Sequence, residues 1–162
     1  MIARAITIAL IVFSAQTSQG AVERPPKEGK YEALFCFSGE NHIIATSDSM
    51  LGGSFRVTGI QRTPRPGDHW DGLSGRCDGA WALVNGTFEE HGSCELIDAD
   101  GDKHFGQFSR IGTKGVWRAF GGTGKYVGLT VNGEYEPAGS FPTAEAGTVQ
   151  GCSRSHGTWK LP

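Results

Sequence analysis

From residue 31 onward, short runs rich in Val, Thr, Phe, Tyr and Trp alternate with glycine, Asn-Gly and Asp-Gly punctuation. No stretch sustains the 3.6-residue apolar period of an amphipathic helix. The pattern predicts strands near 31–38, 42–48, 54–61, 69–78, 80–84, 87–98, 103–111, 115–119, 125–136 and 146–160. Such a chain is all-β, and it buries its apolar residues either as two packed sheets or as a closed barrel.

The first thirty residues carry a different pattern. A short basic start (Met1 to Arg4) leads into an apolar run, Ala5 to Phe13, and then into a small, polar stretch ending at Gly20. Ser18 and Gly20 fit the −3 and −1 positions of a signal-peptidase site, so residues 1–20 read as a signal peptide cleaved after Gly20. The apolar run is too short to span a bilayer, and nothing after it is long enough. Residues 21–30 form a polar, proline-stiffened lead-in, which leaves 31–162 as a single domain exported to the periplasm or the medium.

One hairpin can be registered from its turn. Asn85-Gly86 is the preferred pair for a two-residue type I′ turn, so Val84 pairs with Thr87 and paired numbers sum to 171. Cys77 and Cys94 share that sum and fall in a non-hydrogen-bonded pair, where opposing Cα atoms come within about 4.5 Å, close enough for a disulfide. A Cys77–Cys94 bridge follows, and Cys36–Cys152 by elimination, tying the first strand to the last. The same register puts Leu83, Phe88, Trp81, Glu90, Gly79, Gly92, Cys77 and Cys94 on an inward face. It puts Arg76 across from Glu95 on the outer one.

The next hairpin, around Asp98 to Lys103, takes a two- or four-residue loop centred on Asp100-Gly101, with pair numbers summing to 201. Asp98 then opposes Lys103, and Gln107 and Ser109 join Trp81 and Glu90 around the two inward glycines. Empty space over those glycines must be taken by a ligand, a neighbouring side chain or a bulge.

Composition narrows the class. The chain has 162 residues, 25 of them glycine, about 15% against a usual 7% or so. With Arg4 removed, 14 basic residues face 17 acidic ones, a net charge of −3 without a basic block, which argues against nucleic acid as partner. Four cysteines without a CxxC leave no foothold for zinc-ribbon or thioredoxin chemistry.

The stretch GVWRAFGGTGKYVGLTVNGEY (115–135) resembles the signature of the allene oxide cyclase barrel and dirigent-like proteins, in which a Trp-bearing strand runs into GGTGK[YF]xG. The preceding Cys-bearing hairpin ending in DxDGDK is similar to small exported bacterial members, and the likeness spans roughly 68–160. The resemblance implies an eight-stranded antiparallel barrel, calycin-like in outline and here disulfide-stapled, with a largely apolar central cavity. Members bind hydrophobic small molecules and steer cyclisation or radical coupling, and they form trimers. This chain departs at Thr130-Val131-Asn132-Gly133, where a G-x-G pattern is usual, which implies a kink or turn in that strand. It also lacks the early acidic residue of plant cyclases around Glu32 or Glu40, so no family catalytic residue carries over. GGTGK is not a P-loop, because Ala119 and Tyr126 stand where Gly and Ser/Thr are needed. Gly121, Gly122 and Gly124 make it a tight turn instead.

Glu90 is the candidate catalytic group: a carboxylate beside Trp81 on an inward face would be desolvated and equipped as an acid or hydrogen-bond donor. Trp81, Gln107 and Ser109 are the candidate cavity residues. Asp98, Asp100 and Asp102 have the alternate spacing of a calcium loop, but Gly101 sits at position four and Ser109 at twelve, so a turn is the better reading and no metal or other cofactor is expected. His42, His69, His91, His104 and His156 have no metal spacing, and most of them read as solvated strand residues. Phe35, Phe37, Phe55, Phe120, Tyr126 and Trp117 read as core or cavity wall. Asn85-Gly86-Thr87 is a glycosylation sequon for a eukaryotic host. The function expected is binding of a small hydrophobic molecule in the cavity, with isomerisation or cyclisation as a further step. The alternatives are a non-catalytic lipocalin-like carrier or sensor, and a filled-barrel interaction module.

Overall fold

The computed structural model describes residues 26–162 apart from Asp48. The signal-peptide reading lies outside the described residues. Eight antiparallel strands close into a barrel in chain order. They are β1 (Glu28–Ser47), β2 (Met50–Arg62), β3 (Leu73–Val84), β4 (Thr87–Ile97), β5 (Lys103–Ile111), β6 (Lys114–Gly122), β7 (Thr130–Ser140) and β8 (Thr148–Lys160). A single 3₁₀ turn, Gly124–Tyr126, precedes β7. No helix among the described residues is long and apolar enough to cross a membrane.

Ten expected runs become eight strands because two glycine-marked breaks do not interrupt pairing. β1 continues through Gly39, and β3 through Gly79, each still matched to its neighbour. The lead-in is shorter than expected, since Glu28 to Lys30 already pair with β8. β7 runs on through Gly133 without the kink that its departure from the family pattern implied.

The Asn85-Gly86 hairpin has the expected register, from Val84↔Thr87 to Arg76↔Glu95. Asn85 takes φ 49 and Gly86 φ 79, the left-handed pair a type I′ turn needs. Cys77 and Cys94 are bridged with Cα atoms 4.1 Å apart, and Cys36–Cys152 closes β1 onto β8. Alternation along the strands puts the first bridge on the inner wall and the second on the outer one. Two such bridges place the protein in an oxidising, extracellular or periplasmic compartment. Arg76 and Glu95 oppose each other in the backbone but bond elsewhere, Arg76 near Asp78 and Glu95 with Lys103.

The next hairpin differs from expectation by one residue. Ile97 pairs with Lys103 and Glu90 with Arg110, so numbers sum to 200. The loop has three residues, Ala99 to Gly101: the Asp98 N–H donates to the Asp102 carbonyl at 3.0 Å, and Gly101 takes φ 86. This is a type I turn closed by a left-handed glycine, and its odd length reverses the faces of β5. His104, Gly106, Phe108 and Arg110 point inward, while Phe105, Gln107 and Ser109 point out.

Alternating connections give the barrel two ends. The mouth end carries the β1–β2, β3–β4 and β5–β6 hairpins and residues 141–147. The floor end carries residues 63–72, the Asp98–Asp102 hairpin, the GGTGKYVG segment and the C-terminus. The floor is plugged by Trp70, 3% exposed, whose ring meets those of Tyr31, His69, His104, Tyr126 and Trp159 at centroid distances of 5.2–6.1 Å. Gln61 donates to the Trp70 carbonyl at 3.0 Å, and the Asp71 carboxylate accepts from Arg62, Thr63 N–H and Gly67 N–H, holding the plug-bearing loop.

Inward aromatic rings lie over glycines of the adjoining strand. A Cβ on Gly79 would meet Phe55 at 2.6 Å, and one on Gly92 would meet Phe108 at 2.5 Å. The space over the two inward glycines is thus filled by neighbouring side chains. Gly92→Ala is expected to destabilise the protein by about 1–3 kcal/mol through this clash and the close Asp78 carbonyl, measured by urea unfolding.

His104 and His69 are not solvated strand residues, in contrast to His42, His91 and His156. His104 is 2% exposed with neither ring nitrogen hydrogen-bonded among the described residues. Burial, helped by His69 and opposed by Asp98, pushes its pKa down to about 4, and burial lowers that of His69 as well. An unfolded imidazole titrates near 6.5, so below that pH the unfolded chain takes up the proton first. Stability should therefore fall between about pH 6.5 and 4, by on the order of 3 kcal/mol from His104. His104→Phe should flatten that limb in pH-dependent urea unfolding while leaving pH 7 stability within about 1 kcal/mol.

Candidate functional site

Between floor and mouth the barrel encloses a cavity of about 400 Å³. Its walls are chiefly aromatic, from Phe35 and Phe37 on β1 and Phe55, Phe108 and Trp117 on β2, β5 and β6. The Cys77–Cys94 bridge forms part of the same wall. Because the rings lie against glycines rather than projecting across the lumen, the barrel keeps open volume that its side chains do not fill.

The polar chemistry gathers near the mouth. Glu90 on β4 stands opposite Trp81 on one side and Arg110 on the other. Arg110 donates from Nε to Glu90 Oε1 at 2.7 Å, and the Tyr135 hydroxyl on β7 donates to the same oxygen at 2.9 Å. Both charged side chains are about 85% buried. The Arg110 guanidinium is held further by Nη1 to the Gly112 carbonyl at 3.0 Å and by the Phe88 ring, 4.5 Å from its carbon. Trp81 stacks on Phe88 and donates its indole N–H to Asn41 Oδ1 at 3.0 Å. Burial first, then the Glu90 charge, raises the Tyr135 pKa, so its hydroxyl stays a donor.

Of the residues singled out from sequence, Trp81 and Glu90 line the cavity together. Gln107 and Ser109 do not, because the three-residue loop turns them to the outer face of β5. Glu90 is not the solitary desolvated acid expected from its neighbours; it is one half of an ion pair whose other half, Arg110, the 201 register had placed outside. Tyr135 and Asn41 were also missed. The readable signal for Arg110 was Gly101 as the last residue of a three-residue loop. Phe120, expected in the core or cavity wall, is 59% exposed, since Trp117 and Ala119 hold the inward positions of β6.

The floor carries the GGTGK segment. Gly121 and Gly124 take φ 121 and 49, whereas Gly122 is required because a Cβ there would strike the Lys103 carbonyl. Tyr126 is fully buried in the plug. Asp98 does not pair with Lys103; instead the Lys125 ammonium lies 2.7 Å from Asp98 Oδ2 and 2.9 Å from Asp100 Oδ2. Asp102 accepts from the Lys125 backbone N–H at 3.1 Å. The hydrogen bonds that the Lys125 ammonium donates to Asp98 and Asp100 raise its pKa. Burial works to raise that of Asp98, but Lys125 and the Asp102 and Asp100 N–H groups outweigh it and hold it low. The three carboxylates thus clasp a lysine where a calcium loop would clasp a metal.

No family model and no curated protein sequence matches the chain. Among solved structures, one described as the pterocarpan synthase dirigent protein is similar over 85% of this chain and 88% of its own, with 10% sequence identity and a TM-score of 0.48. The eight-stranded closure rests on the strand pairing itself.

With an ammonium in the Asp98–Asp100 clasp, neither calcium nor chelator should move the melting temperature of the wild-type protein. Lys125→Met should cost about 1–2 kcal/mol in thermal or urea unfolding, because it leaves the Asp98 carboxylate, 8% exposed, without its counter-ion.

Proposed function

We propose that this protein, exported with removal of residues 1–20, binds a small, largely apolar molecule in its barrel. The observation that carries the reading is the cavity itself: about 400 Å³ of space walled by aromatic rings, closed at the floor by Trp70, with a few convergent polar groups near the mouth. A concave, mostly apolar site with sparse, placed polar groups is the usual form of a small-molecule site. An unfilled lumen speaks against the filled-barrel interaction module. The family resemblance of residues 115–135 points the same way.

The site is poor in acid–base groups, Glu90, Arg110 and Tyr135 being already engaged with one another. Chemistry suited to such a cavity is conformational: holding one folded shape of a flexible guest lowers the entropic cost of an isomerisation or cyclisation. Simple carriage, in the manner of lipocalins, uses the same cavity without turnover. Native mass spectrometry of protein taken from its own host separates these, since a carrier retains cargo.

The apolar dye N-phenyl-1-naphthylamine should bind one per chain, with fluorescence enhancement and a Kd on the order of tens of micromolar. Ser153→Trp, which places a ring in the lumen, should weaken it at least about tenfold without loss of the folded far-UV spectrum. Absence of dye binding to the wild-type protein would overturn the reading.

A further inference from the structure

Of the residues lining the cavity, Glu90 and Arg110 carry charge, and each neutralises the other. The remaining polar lining is neutral: Asn41, Gln61, Tyr135, Ser140, Ser153 and Ser155. Two of these are already committed, Asn41 Oδ1 to the Trp81 indole and the Gln61 amide to the Trp70 carbonyl.

The mouth cluster is asymmetric in what it leaves over. Tyr135 and Arg110 both donate to Glu90 Oε1, so Oε2 receives neither. The Tyr135 proton is used in that bond, and the guanidinium is fixed by Glu90, the Gly112 carbonyl and the Phe88 ring. What the cluster offers a guest is therefore the Glu90 Oε2 acceptor, with the Arg110 N–H groups left over from those bonds as donors.

We propose that the cavity selects an uncharged, largely apolar molecule bearing a hydroxyl group, and that Glu90 Oε2 accepts the hydrogen of that hydroxyl. This rests on the reading of the cavity as a binding site. A carboxylate guest would compete with Glu90 for a guanidinium that is already held. It would lie beside the Glu90 charge where little water screens the repulsion. An ammonium guest meets the same obstacle from Arg110. A neutral donor disturbs neither partner, and its apolar body covers the aromatic wall.

The test is displacement of N-phenyl-1-naphthylamine at pH 7 by four guests with one bicyclic body: naphthalen-2-ylmethanol, 2-naphthoate, naphthalen-2-ylmethylammonium and 2-methylnaphthalene. The alcohol should bind tightest, at least about tenfold ahead of either ion, with the hydrocarbon between them. Glu90→Gln leaves Arg110 without its counter-ion, so 2-naphthoate should gain about tenfold or more and overtake the alcohol. Arg110→Gln should favour the ammonium in the same way, giving a second reading if the first variant does not fold. Either ion binding wild-type protein as tightly as the alcohol overturns this proposal alone, as does an order unchanged in a folded Glu90→Gln or Arg110→Gln variant. Failure of the dye itself to bind overturns the cavity reading, and this inference with it.

Discussion

The interior is organised by one cross-strand contact repeated around the wall: an aromatic ring on one strand lying over a glycine on the next. Phe55 faces Gly79, Phe108 faces Gly92, Tyr135 faces Gly115 and Trp81 faces Gly53, each directly opposite in the ladder. A Cβ on Gly79, Gly92 or Gly115 would collide with the ring, and one on Gly53 would press on the Trp81 indole at 3.0 Å. The ring covers backbone that glycine leaves bare, and the missing side chain lets it fold against the wall instead of reaching across the lumen. Part of the glycine content of the chain and the survival of a cavity in an eight-stranded barrel follow from this contact. Eight strands are otherwise narrow enough for side chains to fill the interior.

The two ends of the barrel divide the work. At the floor, rings from Tyr31, His69, Trp70, His104, Tyr126 and Trp159 pack together, and the described partners leave several of their polar atoms without hydrogen bonds. Such atoms cost free energy wherever they are dry, and here the aromatic contacts and two clasps offset the cost. One clasp is Asp71 gathering its own loop; the other is Lys125 held by Asp98 and Asp100. At the mouth the balance is reversed. Glu90, Arg110 and Tyr135 satisfy one another on the cavity wall and leave a polar edge beside an apolar chamber.

How much of this was legible depended on loop parity. Asn85-Gly86 admits one loop length, so every pair from Val84↔Thr87 to Cys77↔Cys94 could be counted off, and the inner position of Trp81 and Glu90 with it. Asp100-Gly101 sits in a sequence compatible with two, three or four loop residues. The apolar pattern of β5 could not arbitrate. One face offers Phe105 and Ile111 among polar residues, the other Phe108 beside His104, Gly106 and Arg110, and neither is plainly the oily one. A one-residue error there exchanged Gln107 and Ser109 for Arg110 and hid the partner of Glu90.

By itself, the sequence determined the all-β class, the covalent staples and the inward face of the β3–β4 hairpin, because turn chemistry and period-two alternation act between residues near in the chain. It also marked GGTGK as a turn rather than a phosphate loop. Only the tertiary structure decided that Lys125 fills the Asp98–Asp100 clasp, that His104 is dry, and that Tyr135 reaches Glu90 across 45 residues of chain. Those contacts join residues whose distance is set by the closing of the barrel, and closure is a property of all eight registers at once rather than of any one segment.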